Sequence, residues 1–161
     1  AAFPHVHLTI RNNGQALDPF GGGTCGAVGD PIWSAKALAS LNYEKGEVIQ
    51  SGFSPAPVEL TGLETGEVRT QNPDGGWPAM VAYAWAISLM NGDTVTVTLR
   101  GPGGIEAANT VTLDRNKAVY LLFAGKKRPA GGWPKGEYAG SLTVSNEGEL
   151  RLSQEWRATL E

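Results

Sequence analysis

The segment that decides the fold is Thr94-Val95-Thr96-Val97-Thr98-Leu99, in which threonine alternates with an apolar residue at every step. Successive side chains of a β-strand point to opposite faces, so this pattern predicts a strand with one wet face and one buried face. The turn sequences Gly92-Asp93 and Gly101-Pro102-Gly103-Gly104 flank it on either side. Strands with one wet face are typical of antiparallel sheets, so the segment favours an antiparallel fold.

The same alternation recurs in two later segments, at residues 138–144 and 150–160. In the second segment we expect an apolar face and a polar face. The apolar face would hold Leu150, Leu152, Trp156, Ala158 and Leu160, and the polar face Arg151, Ser153, Glu155, Arg157 and Thr159. By contrast, residues 80–89 and 118–124 are apolar on both faces, which predicts central strands.

Three shorter candidate strands complete the series, at residues 48–53, 58–60 and 110–113. From about residue 43 onward the chain therefore reads as roughly seven or eight short strands separated by turn residues. No segment has the length and period of a long helix, so βαβ units are not expected. The sequence predicts an all-β fold, namely an antiparallel β-sandwich of immunoglobulin-like type.

The composition limits the classes of function. The chain has 161 residues, the size of one ordinary domain, and its 41% hydrophobic content is enough for a folded core. A net charge of −3 provides no overall positive field for nucleic acid or anionic lipid. No apolar run approaches the roughly 20 residues that a membrane helix needs. We therefore expect no nucleic-acid partner and no membrane span.

A glycine-rich stretch at residues 21–31 has the composition of a linker. Residues 34–39 after it have helical character, with Ser34 as the expected N-cap, and an irregular crossing is the alternative. Cys25 is the only cysteine, so no internal disulfide can form. We interpret it as a small, partly buried thiol, and pairing with another part of a longer protein is the alternative.

The tetrapeptide Gly-Gly-Trp-Pro occurs twice, at residues 75–78 and 131–134. A duplicated aromatic ligand site is one interpretation. We favour a structural one, in which each motif is a turn whose tryptophan covers an edge of the sandwich and whose proline enters the next strand. Between the two motifs, Lys126-Lys127-Arg128 is interpreted as a solvated basic turn, with contact to an acidic polymer as the alternative.

The residues that carry chemistry are His5 and His7, the only two histidines in the chain. Apolar and polar residues alternate from residue 5 to residue 11, which predicts a strand with both imidazoles on one face. Asn13-Gly14 then predicts a hairpin turn, because a type I′ turn needs positive φ at both central residues. Neutral imidazole is a preferred zinc ligand, and a neighbouring imidazole can act as acid or base on metal-bound water.

The run Pro4-His5-Val6-His7-Leu8, followed by Ile10-Arg11-Asn12-Asn13-Gly14 and Leu17-Asp18-Pro19, resembles the closing hairpin of lysostaphin-type (LytM-like) zinc metallopeptidases. This match covers residues 3–20. The remainder of the chain is similar to the C-terminal extension of some bacterial members, for example in Pro31-Ile32-Trp33-Ser34. Members of the family are zinc-dependent endopeptidases, typically of the bacterial envelope, that cut peptide cross-links in peptidoglycan.

The resemblance implies a role for each histidine. His7 would be a zinc ligand, and His5 would be the catalytic histidine that assists attack by water. Asp18 and Pro19 match the family pattern and are expected to be structural. The family completes its zinc site with an upstream His-x-x-x-Asp pair, and this sequence has no further histidine. We therefore expect residues 1–161 alone to hold no catalytic zinc and to be inactive.

These observations predict three parts. Residues 1–20 would be the incomplete closing hairpin of a zinc peptidase domain, residues 21–42 a linker with a short irregular or helical segment, and residues 43–161 a β-sandwich accessory domain. The expected whole is a C-terminal fragment of a periplasmic or cell-envelope peptidoglycan endopeptidase, whose partners are peptidoglycan cross-links and the missing N-terminal part. The alternative is a stand-alone exported β-sandwich module with a binding or structural role and no catalysis.

Overall fold

The computed structural model describes residues 8–21, 29–41 and 46–161. The chain divides into two compact units, residues 1–44 and 45–161. In the first unit, strands β1 (Ile10–Asn12) and β2 (Gln15–Leu17) pair antiparallel. The turn between them has φ values of 49° at Asn13 and 82° at Gly14, the positive values that a primed turn requires. The predicted hairpin is confirmed.

The first strand is shorter than the alternation predicts. β1 begins at Ile10, and Leu8 and Thr9 lie outside any strand, with Leu8 exposed to solvent. The predictions for His5, His7 and Cys25 fall outside the described residues, as does the greater part of the glycine-rich stretch.

The predicted N-cap is also present in the first unit. The helix α1 (Ala35–Leu38) is one turn long, and the hydroxyl of Ser34 accepts a hydrogen bond from the amide of Ala37 at 3.2 Å. Just before it, the amide of Ile32 donates to the carbonyl of Pro19 at 3.1 Å. The rings of Phe20 and Trp33 lie 6.1 Å apart, so the end of the hairpin packs beside the segment that leads into the helix.

The second unit contains, within residues 46–161, seven strands and a five-residue helix. The elements in chain order are β3 (Glu47–Ser54), α2 (Leu60–Glu64), β4 (Ala79–Leu89), β5 (Thr94–Gly101), β6 (Ile105–Thr112), β7 (Lys117–Lys127), β8 (Gly136–Asn146) and β9 (Glu149–Leu160). One antiparallel sheet has the order β3-β4-β7 and the other β6-β5-β8-β9. The predicted all-β fold is confirmed. None of the helices in the described ranges is long and apolar enough to cross a membrane.

The inner faces of the two sheets share one hydrophobic core. β5 directs Val95, Val97 and Leu99 into it, and its threonines form the outer face, as the alternation predicts. Burying each large apolar side chain contributes on the order of 1.5–3 kcal/mol, so this shared core holds the sheets together. Other strands contribute the remaining large members, chiefly Phe53, Met80, Leu122, Tyr138, Leu142 and Val144.

The strand β7 lies at the edge of its sheet, which corrects the prediction that residues 118–124 form a central strand. Its outward face is apolar because the segment between β3 and β4 covers that side of the sheet. The predicted strand at residues 58–60 is also wrong, since this covering segment forms a loop and then α2. The contact between this segment and the sheet is a second apolar cluster, which consists of Val58, Leu63 and Tyr83, with Val68, Trp85, Leu121 and Phe123 packed against it.

A β-bulge near the start of β9 reverses the predicted faces of two residues. Val144 of β8 pairs with Leu152 of β9, and the next residue of β8, Ser145, pairs with Leu150. Arg151 is therefore the extra residue of the bulge. Leu150 is consequently 66% exposed. The side chain of Arg151, predicted to be on the wet face, is only 15% exposed and pairs with buried Asp93. From Leu152 onward the predicted alternation holds.

Candidate functional site

The two histidines predicted to act in zinc chemistry, His5 and His7, lie outside the described residues, and their roles stay predictions. The neighbouring motif residue Asp18 is described, and its carboxylate accepts a hydrogen bond from the amide of Phe20 at 2.9 Å. This contact is a local turn that orders the chain after β2. Across residues 8–21, 29–41 and 46–161, no group of three or more His, Cys, Asp and Glu side chains could hold a metal ion.

A buried polar cluster centres on Asp93, which is 0% exposed at the turn between β4 and β5. Its carboxylate accepts hydrogen bonds from the amide of Met90 at 2.7 Å and from Nδ2 of Asn146 at 2.8 Å. It also forms an ion pair with the guanidinium of Arg151. The cluster thus joins the turn between β4 and β5 to the hairpin between β8 and β9.

Burial alone would raise the pKa of Asp93. The hydrogen bonds from Met90 and Asn146, together with the hydrogen bonds and charge of Arg151, outweigh that effect and lower its pKa below the ordinary value. The carboxylate is therefore ionised at neutral pH with its oxygens already engaged. Such a group stabilises loops and is not available as a general base.

The Asp93 cluster also organises a depression at this end of the sandwich. Nδ2 of Asn146 reaches the carbonyl of Asn91 at 3.3 Å, and the amide of Asn91 donates to Oδ1 of Asn116 at 2.8 Å, so three loops are joined. The depression has a volume of about 420 Å³, and its wall contains two glutamates but no serine, threonine, cysteine or histidine. Its lining residues are Met90, Asn91, Asn146, Glu147, Glu149 and Arg151.

Sequence reasoning missed the Asp93–Arg151 pair. Asp93 follows Gly92 in a turn sequence, where a solvated aspartate is the ordinary expectation. Arg151 stands at a position that the alternation assigns to the wet face. The alternation of apolar and polar residues through residues 150–160 contains no sign of a bulge, so it offered no signal for this pair.

The two Gly-Gly-Trp-Pro motifs meet at the opposite end of the sandwich. Trp77 and Trp133 are both buried, and Nε1 of Trp133 donates to the carbonyl of Trp77 at 2.8 Å. Trp133 also packs edge-on against Tyr138, with ring centroids 6.4 Å apart. These contacts support the structural interpretation of the motifs, because a buried, hydrogen-bonded indole is not free to stack on a ligand.

Tyr138 completes the packing at this end. Its hydroxyl donates to the carbonyl of Pro134, four residues earlier, at 2.8 Å. Burial raises the pKa of Tyr138, so the hydroxyl keeps its proton and its role as a donor at neutral pH. The hydrogen bond fixes the path of the chain from the second Gly-Gly-Trp-Pro motif into β8.

The outer face of the four-stranded sheet is polar, as the alternation predicts. Hydroxyls pair across its strands, with Thr94 and Thr112 3.1 Å apart, Thr96 and Thr110 2.9 Å apart, and Thr98 and Ser141 2.7 Å apart. Opposed hydroxyls of this kind stabilise the pairing of neighbouring strands.

No protein-family model matches the sequence, and a search of the curated proteins finds no match. The resemblance to lysostaphin-type peptidases therefore rests on the residues of the chain alone.

Proposed function

We propose that the chain is the C-terminal part of a zinc-dependent peptidoglycan endopeptidase of the periplasm or cell envelope, with a non-catalytic β-sandwich accessory domain. The observation that supports this most is the hairpin that follows the two histidines. Its primed turn at Asn13-Gly14 and its end at Asp18-Pro19 occur in the order that the lysostaphin-type hairpin has.

In this proposal His7 is a zinc ligand, and His5 moves a proton to or from the attacking water. Zinc bound there would polarise the scissile carbonyl and lower the pKa of its water toward about 7. The donor set suits zinc, because neutral imidazole is among its preferred ligands. Two histidines two residues apart supply one ligand and one acid–base group, and the remaining ligands belong to an upstream His-x-x-x-Asp pair.

We assign the accessory domain to the immunoglobulin-like sandwiches. Support comes from the strand orders, which are β3-β4-β7 in one sheet and β6-β5-β8-β9 in the other. The chain passes from one sheet to the other between β4 and β5, between β6 and β7, and between β7 and β8. The hydrogen bond from Tyr138 to Pro134 is a second support. A tyrosine at the start of the penultimate strand that bonds the backbone just before it is a recurring feature of that class.

The polar groups of the sandwich support the accessory role in this proposal. The carboxylate of Asp93 is occupied by its partners, three pairs of hydroxyls on the outer face satisfy one another, and the wall of the depression contains no serine, threonine, cysteine or histidine. The observation that favours the alternative, a stand-alone module, is that the buried core residues in the described part of the chain all lie between Phe53 and Leu160.

The test is to express the chain together with its natural upstream sequence and to measure bound zinc and cleavage of purified peptidoglycan. We expect His7→Ala to lose zinc and activity, and His5→Ala to keep zinc and lose turnover by about 100-fold or more. Gln15→Ala, an exposed change on the return strand β2, is the control and should keep both. Wild-type zinc content and activity in both histidine variants would refute the proposal, as would an upstream sequence without His-x-x-x-Asp.

A further inference from the structure

Residues 126–135, which are the last two residues of β7 and the connection to β8 and are called the basic loop below, carry the densest positive charge of the chain. Four basic residues fall within residues 126–135, and this stretch contains no aspartate or glutamate. All four side chains are exposed, and none forms an ion pair with any residue in the described ranges. The chain as a whole is acidic, so this charge is a local feature and not a consequence of composition. The four are Lys126, Lys127, Arg128 and Lys135.

The backbone of this basic loop is held in place at both of its ends. The amide of Arg128 donates to the carbonyl of Pro78 at 2.9 Å, and Nε1 of Trp133 donates to the carbonyl of Trp77 at 2.8 Å. Between these anchors, the amide of Gly132 donates to the carbonyl of Pro129 at 2.9 Å and closes a turn. The cations therefore stand on an ordered backbone, which reduces the entropy lost when a partner binds.

The other residues of the basic loop narrow the chemistry of the partner. Trp133 is buried, so it offers no ring on which a nucleotide base could stack. The remaining residues of the loop are proline, alanine and glycine, and none is a large apolar side chain that could insert into a membrane interface. The interaction that remains is charge attraction to a polymer with repeated anionic groups.

We propose that the basic loop binds carboxylate groups of peptidoglycan and so anchors the accessory domain to the wall polymer. The choice of this polymer rests on the proposed function. The peptide stems of peptidoglycan carry carboxylates along the polymer, so the loop could engage several at once. Each contact is an exposed ion pair and weak by itself, and the polymer supplies the strength through repetition.

The test is co-sedimentation of the 161-residue chain with purified insoluble peptidoglycan at about 50 mM and about 500 mM salt, which changes screening several-fold. We expect binding at low salt that is lost at high salt. Lys126→Gln/Lys127→Gln/Lys135→Gln should weaken binding by about tenfold or more, because three ion pairs are lost together. Arg69→Gln/Arg115→Gln/Lys117→Gln makes the same change in net charge outside the loop and should retain wild-type binding.

A second arm tests the anion directly. Peptidoglycan whose carboxylates have been converted to neutral amides should no longer bind the wild-type chain. Undiminished binding to that polymer, equal binding of the two triple variants, or no binding of the wild type to intact peptidoglycan would each overturn the proposal. Stronger binding to phosphatidylglycerol vesicles than to peptidoglycan would overturn it in favour of a membrane surface. None of these results bears on the zinc measurements with His5 and His7, so failure of the anchor and failure of the peptidase proposal remain distinguishable.

Discussion

Replacing Asp93 with alanine should destabilise the sandwich by about 3–5 kcal/mol, the usual cost of breaking a buried ion pair from one side. Asp93 is 0% exposed, and its loss strands the guanidinium of Arg151 together with the donors on Met90 and Asn146. Arg151 keeps 15% side-chain exposure and can reach some water, which places the expected cost near the lower end of that range. A loss of this size is a large fraction of the roughly 5–15 kcal/mol that stabilises an ordinary domain.

The assay is urea unfolding of the full chain, followed by tryptophan fluorescence and circular dichroism. The midpoint should fall with little change in the slope of free energy against urea, because the surface exposed on unfolding is nearly the same. In a double-mutant cycle, Asp93→Asn with Arg151→Met should cost about 2 kcal/mol less than the sum of the single variants, since neither buried charge is then left alone.

The pH dependence gives an independent measurement of the same pair. The pKa of Asp93 is lower in the folded state than its unfolded value of about 3.9. Its stabilising contribution is therefore complete above about pH 4 and is lost as the pH falls through the folded pKa. Asp93→Asn should remove this part of the acid sensitivity.

The control for Asp93 is Glu106→Ala, which removes the partner of Arg100 in an ion pair whose two side chains are 65–70% exposed. This change should cost less than about 1 kcal/mol, because solvent screens the pair. A loss below about 1 kcal/mol for Asp93→Ala, or purely additive effects in the cycle, would contradict the claim that this ion pair stabilises the loops.

Two further predictions concern packing. Trp133→Phe should destabilise the fold by about 1–3 kcal/mol beyond the loss of ring area, because it leaves the buried carbonyl of Trp77 without its donor. Trp85→Phe is the matched control. Nε1 of Trp85 is buried without a partner in the described ranges, so this change removes no hydrogen bond. Equal unfolding free energies for the two variants would contradict this. Deletion of residues 1–44 should leave a cooperative unfolding transition whose free energy changes by no more than a few kcal/mol, because the core of the described residues lies within residues 53–160. A deletion variant without β-sheet circular dichroism would contradict this expectation.

Local features of this protein were predictable from sequence because each is determined by neighbouring residues. The threonine alternation at residues 94–99 predicts the two faces of β5, since side chains alternate along any strand. Asn13-Gly14 predicts the hairpin because few residues tolerate positive φ, and Ser34 predicts the start of α1 because its hydroxyl can accept from the helix amides. The order of turns and strands likewise determined the all-β class.

Features that depend on partners far along the chain were decided only by the tertiary structure. Arg151 points inward and Leu150 outward because pairing with β8 places a bulge there, and alternation within β9 contains no sign of it. The strand β7 is apolar on both faces because the segment around α2 covers its sheet, which no local pattern distinguishes from a central position. Trp77 and Trp133 are 56 residues apart, and they form a hydrogen bond because the two sheets bring their turns to the same end of the sandwich. A sequence pattern indicates which side chains are buried, and the pairing of distant strands decides which residues they contact.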